Sequence, residues 1–155
     1  MFMEIDRSLI GTSSDAWVVE VERGAIRRFA EAIGDPNPLW RDGDFARSLG
    51  YPDVIAPPSF PVSFVMPDVP PWWEGLDRKR FLAGEHGFVY ERAITAGDVL
   101  TCRMTLLDVL RKEGRSGVMD LMLQEVRGVD AEDQDVFVHR RTTVYRGAGS
   151  IVRGS

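Results

Sequence analysis

Apolar residues recur along the chain with two different periods, and the change falls near residue 80. Between 24 and 33, Ala25, Ile26, Phe29, Ala30 and Ile33 fall on one helical face while Arg23, Arg27, Arg28 and Glu31 take the other. That spacing predicts an amphipathic helix packed on a core. Gly34 ends it, and the GDPNP run that follows is loop chemistry. A short strand is predicted before it at 17–21, and Asp42 or Asp44 can cap a short helix over 45–49 that ends at Gly50. Residues 51–60 are proline-rich and extended. A further helix is expected at 58–66, with Pro58 in its first turn and with Phe60, Val62, Phe64 and Val65 giving it the most apolar surface of any helix in the chain. Beyond residue 80 the period drops to two: Leu100, Cys102, Met104 and Leu106 alternate with Thr101, Arg103 and Thr105, which marks a strand with one buried face. Strand-like runs at 88–94, 99–110, 118–129 and 136–145 are joined by short turns, so the last three form an antiparallel meander.

A strand, then helices, then a meander defines an α+β protein. A sheet of about five strands with one apolar face needs a cover, and the 58–66 helix is the candidate. A central helix wrapped by an antiparallel sheet is the hot-dog arrangement, which usually dimerises with ligand sites between subunits. At 155 residues the chain has room for one such domain, with a core from about 17 to 146 and frayed termini. Carboxylates outnumber cations 24 to 19, a balance that argues against a nucleic-acid partner. One cysteine and two histidines cannot form an internal disulfide or build a zinc site unaided. No apolar run resembles a secretory leader or a membrane span, so a cytoplasmic protein without a membrane partner is expected.

The most specific stretch is FAEAIGDPNPLW, 29–40. Alone, its Asp35 and Asn37 read as Asx turns after a helix. In context the stretch resembles the signature of the MaoC-like, R-specific enoyl-thioester hydratases, where a helix is followed by Gly-Asp-x-Asn-Pro, an aliphatic residue and His. In that family the Asp and His act on the water added to, or removed from, carbon 3 of an acyl thioester. Here Gly34, Asp35, Asn37, Pro38 and Leu39 fit, and Trp40 stands where the His belongs. An indole N–H only donates; it cannot take a proton from water near neutral pH. The resemblance continues into VIAPPSFPVSF, where family members use a Gly N–H as an oxyanion donor to the thioester carbonyl. Pro58 occupies that place after Pro57, and proline has no N–H; a register one residue on would leave the donor to Ser59. YERAITAGDVL, 90–100, matches a further strand-turn-strand of the family with Ala93 for its usual proline.

The resemblance spans about 17–146 and is closest to the N-terminal, acyl-binding half of two-part MaoC-like dehydratases, which lacks the His and pairs with a hot-dog that has it. It implies an acyl-thioester-binding, non-catalytic subunit with no complete catalytic set. Asp35 and Asn37 are retained, and the resemblance implies that Trp40, Tyr51, Pro57, Pro58, Ser59 and Phe60 line the acyl pocket. The implied partner is a His-bearing MaoC-like subunit in a heterodimer or heterotetramer, or else a second copy in a homodimer. No cofactor or metal is implied beyond coenzyme A or an acyl carrier protein as the thioester's carrier. Arg78, Lys79 and Arg80 form the one dense cationic run, suited either to that carrier's phosphates or to a solvated loop. The alternatives are a hot-dog acyl-CoA thioesterase, for which 59–66 offers no acid, and a pure acyl-CoA-binding module. Trp72 and Trp73 are read as a cap on the core, and His86, His139 and Cys102 as structural.

Overall fold

The computed structural model describes residues 4–147. Its centre is one five-stranded antiparallel sheet in the order β1-β3-β4-β5-β2, formed by β1 (Trp17–Glu20), β2 (Phe81–Tyr90), β3 (Val99–Gly114), β4 (Gly117–Val129) and β5 (Asp135–Arg146). Two helices, α1 (Arg23–Ala32) and α2 (Gly43–Ser48), lie between β1 and β2. The α+β architecture read from the sequence is therefore the one observed. Period-two alternation does what it should: Leu100, Cys102, Met104 and Leu106 of β3 are fully buried. The β3–β4 hairpin closes through Gly117 at φ 107°, a left-handed conformation that glycine adopts without a Cβ clash. Gly128 is required for another reason, because a Cβ there would lie 2.1 Å from the Phe137 ring of the neighbouring strand.

Three expectations need correction. The helix at 58–66 is absent; only a 3-10 turn forms, at Phe60–Ser63. Prolines explain this. Pro61 brings no N–H to a helical ladder, and Phe60 and Met66, each preceding a proline, are biased away from the helical region. By Phe64 the backbone is already extended, at φ −72° and ψ 117°. Phe60 is buried and Phe64 packs on the core, but Val65 is 81% exposed. Second, β2 begins at Phe81 rather than 88, because pairing with β5 recruits a stretch of weak strand formers, with a bulge between Ala83 and Glu85. Third, the chain ahead of residue 17 is packed rather than frayed as far as it is described. Ser14 donates its N–H to the Met104 carbonyl at 2.7 Å, Gly11 donates to that of Leu106 at 2.7 Å, and Ile5 is buried. The expected fraying at the extreme ends lies outside the described residues.

With no α-helix at 58–66, the concave face of the sheet is covered there by other means. A run of edge-to-face rings, Phe29 to Phe60 to Phe64 to Phe137, with centroids 5.5, 5.4 and 5.7 Å apart, ties α1 through the 3-10 turn to β5. Beyond it, Trp72 and Trp73 of the 67–80 connection close over β4. Both indole N–H groups donate to Gln124 Oε1, at 2.8 and 3.0 Å, while Gln124 Nε2 donates to Thr143 Oγ1 at 3.0 Å.

Candidate functional site

The stretch 34–40 leaves α1 through Gly34 at φ 71°. The Asp35 carboxylate accepts from the Asn37 N–H at 3.0 Å, and the Asn37 side-chain Oδ1 accepts from the Leu39 N–H at 3.0 Å, capping a 3-10 turn at Pro38–Trp40. Such a side-chain cap contributes about 1 kcal/mol. Arg41 clamps the turn from outside by donating to the Asp35 carbonyl at 3.1 Å. The two polar side chains of the motif thus hold their own loop. Trp40 is turned into the hydrophobic core, 7% exposed, and its Nε1 has no hydrogen-bond partner among the described residues.

The extended segment meets this turn directly. Ile55 donates to the Leu39 carbonyl at 3.1 Å, while Ala56 donates to the Ile94 carbonyl at 2.8 Å. The fold therefore brings together the 34–40 turn, the segment holding Pro57, and the 3-10 turn after Ser59, with buried Pro57 and Phe60 on the inside. Pro58 faces outward, and its carbonyl accepts from the Tyr90 hydroxyl. Burial pushes that hydroxyl above the ordinary phenol range. Ser59 makes no side-chain capping bond. Tyr51 is placed elsewhere, on an open groove of about 470 Å³ shared with Arg92, Ala93, Thr95 and Asp98. The groove's shape comes from a staple that the sequence motif does not reveal. Arg92 donates to both carboxylate oxygens of Asp98, at 2.8 and 3.1 Å, and Asp98 also accepts the Thr95 N–H at 2.8 Å.

Arg78, Lys79 and Arg80 form a 3-10 turn capped by Asp77, immediately before β2 and away from the 34–40 turn in sequence and sheet position. Arg80 lies over the Tyr145 ring at 4.4 Å and donates its Nε to the Arg146 carbonyl at 2.6 Å. Arg78 lies 6.0 Å from the Trp73 ring centre. Cys102 is fully buried, and burial pushes its thiol up to about 12, so it holds no thiolate at neutral pH. His86 and His139 face each other on the concave side at 2.9 Å, a pairing between strands 53 residues apart that no local pattern announces. Among the described residues no group of three or more His, Cys, Asp or Glu side chains could hold a metal ion, and no helix is long and apolar enough to cross a membrane.

Residues 8–139 match the model of the FAS1-like, dehydratase domain region. A UPF0336 protein of Thermobifida fusca is 42% identical over 117 residues, covering 69% of this chain and 74% of the relative. Among solved structures, a MaoC-like dehydratase superposes with a TM-score of 0.79 at 26% identity, over 92% of this chain but only 43% of its own. The HadBC (3R-hydroxyacyl-ACP dehydratase) complex of Mycobacterium tuberculosis gives a TM-score of 0.72 at 23% identity, covering 88% of this chain and 96% of that one. The ChsH1-ChsH2 complex of the same organism gives 0.71 at 24%, covering 90% and 92%. The fold is a hot-dog.

Proposed function

Because the chain belongs to the FAS1-like dehydratase-region family, we propose that it is the acyl-thioester-binding, non-catalytic subunit of a heteromeric enoyl-CoA hydratase or 3-hydroxyacyl-thioester dehydratase. The observation that carries this reading is Trp40. The position that would offer an imidazole holds an indole instead, packed in the core and unable to accept a proton. Asp35, its carboxylate engaged by the Asn37 N–H, does not replace the missing base.

The surroundings support the same division of labour. Pro58 has no N–H to stabilise an oxyanion, and its carbonyl is bonded to Tyr90. The concave face, roofed by aromatic rings, carries a continuous cluster of buried apolar side chains that suits an acyl chain. The relatives of known structure include the HadBC and ChsH1-ChsH2 complexes, which supports a second hot-dog as the partner that brings the Asp, the His and the oxyanion donor. The carrier would be coenzyme A or an acyl carrier protein. In this reading the partner adds water to, or removes it from, carbons 2 and 3, and the present chain shapes the pocket.

The test is reconstitution. The purified chain alone should leave crotonyl and longer enoyl thioesters unhydrated, and hydration should appear, with a stable complex on size exclusion, when a His-bearing hot-dog partner is added. Turnover by the isolated chain would overturn the proposal.

A further inference from the structure

We propose that the concave face of the sheet carries an anion-binding site centred on Arg141, which takes the carboxylate of an amphiphilic acid. In register, Arg141 of β5 lies between Gln124 of β4 and His86 of β2. It is partly buried and forms no ion pair, and its Nε is buried without a hydrogen-bond partner among the described residues. Its guanidinium carbon lies 5.7 Å from the centre of the Trp73 ring.

Among the described residues, the acceptors closest to it in the sheet register are engaged elsewhere or face away. Both lone pairs of Gln124 Oε1 are used by the indoles of Trp72 and Trp73. Asp120, four residues before Gln124 on β4 and on the same face, is held by Arg111 at 2.9 and 3.1 Å. Asp77 caps its own turn, accepting from Lys79 at 3.0 Å, and Glu85 stands on the opposite face, beside the bulge. Among the described residues, no carboxylate pairs with Arg141 on the concave face. Burial lowers the Arg141 affinity for its proton, but a guanidinium remains charged at neutral pH. Such a charge taken from water without a counter-ion is costly, and an arriving anion relieves that cost while forming short, charge-assisted bonds.

The site is reachable, because His86 is exposed while its partner His139 is buried. The remaining lining selects the ligand. The rows on either side present Met122 and Ala83 on one flank and Val126 and Phe88 on the other, with the Phe88 ring stacked on His139 at 4.5 Å. A guanidinium fork set among apolar groups fits a planar carboxylate on an apolar chain better than a free inorganic anion. Binding here requires no partner subunit.

Titration of the isolated chain with octanoate, followed by tryptophan fluorescence and calorimetry, tests this, since Trp73 touches Arg141. Octanoate should bind saturably and raise the melting temperature, and 1-octanol at equal concentration should bind at least tenfold more weakly. Arg141→Gln should weaken octanoate at least tenfold, and Arg141→Lys should retain part of the affinity. Arg140→Gln, on the opposite face and paired with Glu125, should change nothing. Should Arg141→Gln fail to fold, the Arg141→Lys variant and the octanoate-octanol contrast still decide. Equal affinity for octanol and octanoate, unchanged affinity in Arg141→Gln or Arg141→Lys, or displacement of octanoate by equimolar inorganic phosphate would each overturn the assignment.

Discussion

The turn at 34–40 and the concave face around Arg141 are opposites. The first carries the most specific motif in the chain, yet its Asp35 and Asn37 are bonded to backbone and its Trp40 is core. The second carries no motif, yet it holds a buried guanidinium nitrogen without a hydrogen-bond partner among the described residues and two imidazoles bonded to each other. A motif records where chemistry sits in a family. Unspent hydrogen-bonding capacity records where a given chain still has something to offer a ligand.

If the turn is structural, its variants should act on stability rather than on turnover. Trp40→Ala should be the largest effect, a loss of about 3–5 kcal/mol in denaturant melts, as for other buried aromatic truncations. Little or no loss would mean that Trp40 is not the core residue described here.

The concave face should answer to pH instead. Burial, His86 and Arg141 together hold His139 down at about 4 against an ordinary 6.5, so the fold favours its neutral form. That stability is fully present above about pH 6.5 and is lost as pH falls toward 4, by up to about 3 kcal/mol. Melting temperatures across that range should fall, and His139→Phe should flatten the dependence. An equal fall in the variant would assign the effect to other groups.

Asn37→Ala should cost about 1 kcal/mol by removing the cap on the Leu39 N–H. A larger loss would point to a role beyond the turn. The smallest expected effect is catalytic: Trp40→His alone should leave the isolated chain near background on crotonyl-CoA. Pro58 still withholds an oxyanion donor, whose absence costs about a hundredfold or more elsewhere. Efficient turnover would relocate the donor, with Ser59 the first place to look.

Much of this was legible in the sequence, for identifiable reasons. The sheet announced itself because alternation in 99–110 and 118–129 is enforced by one buried face. The Asx turns at Asp35 and Asn37 were legible because such bonds span two residues. The apolar spacing at 58–66 does not yield a helix because the backbone restrictions of Pro61 and Pro67 prevail over it. The start of β2 was missed because Ala83, Gly84 and Gly87 have little strand preference of their own and are ordered by β5. The clustering of His86, His139, Gln124 and Arg141 depends on the register of three strands, and one shifted bulge would scatter it.

The missing helix has one more consequence, in time rather than in space. An α-helix over 58–66 would protect its amides through a ladder of backbone bonds. The 3-10 turn instead has a few turn-type bonds, such as Phe60 to Pro57 at 2.9 Å and Val62 to Ser59 at 3.1 Å, and is otherwise anchored by ring edges. Amides of this segment are therefore expected to exchange with solvent deuterium through local opening, well before those of β3 and β4, whose release requires the sheet to come apart. The roof of the concave face is fastened by side chains, so it can lift while the floor stays whole.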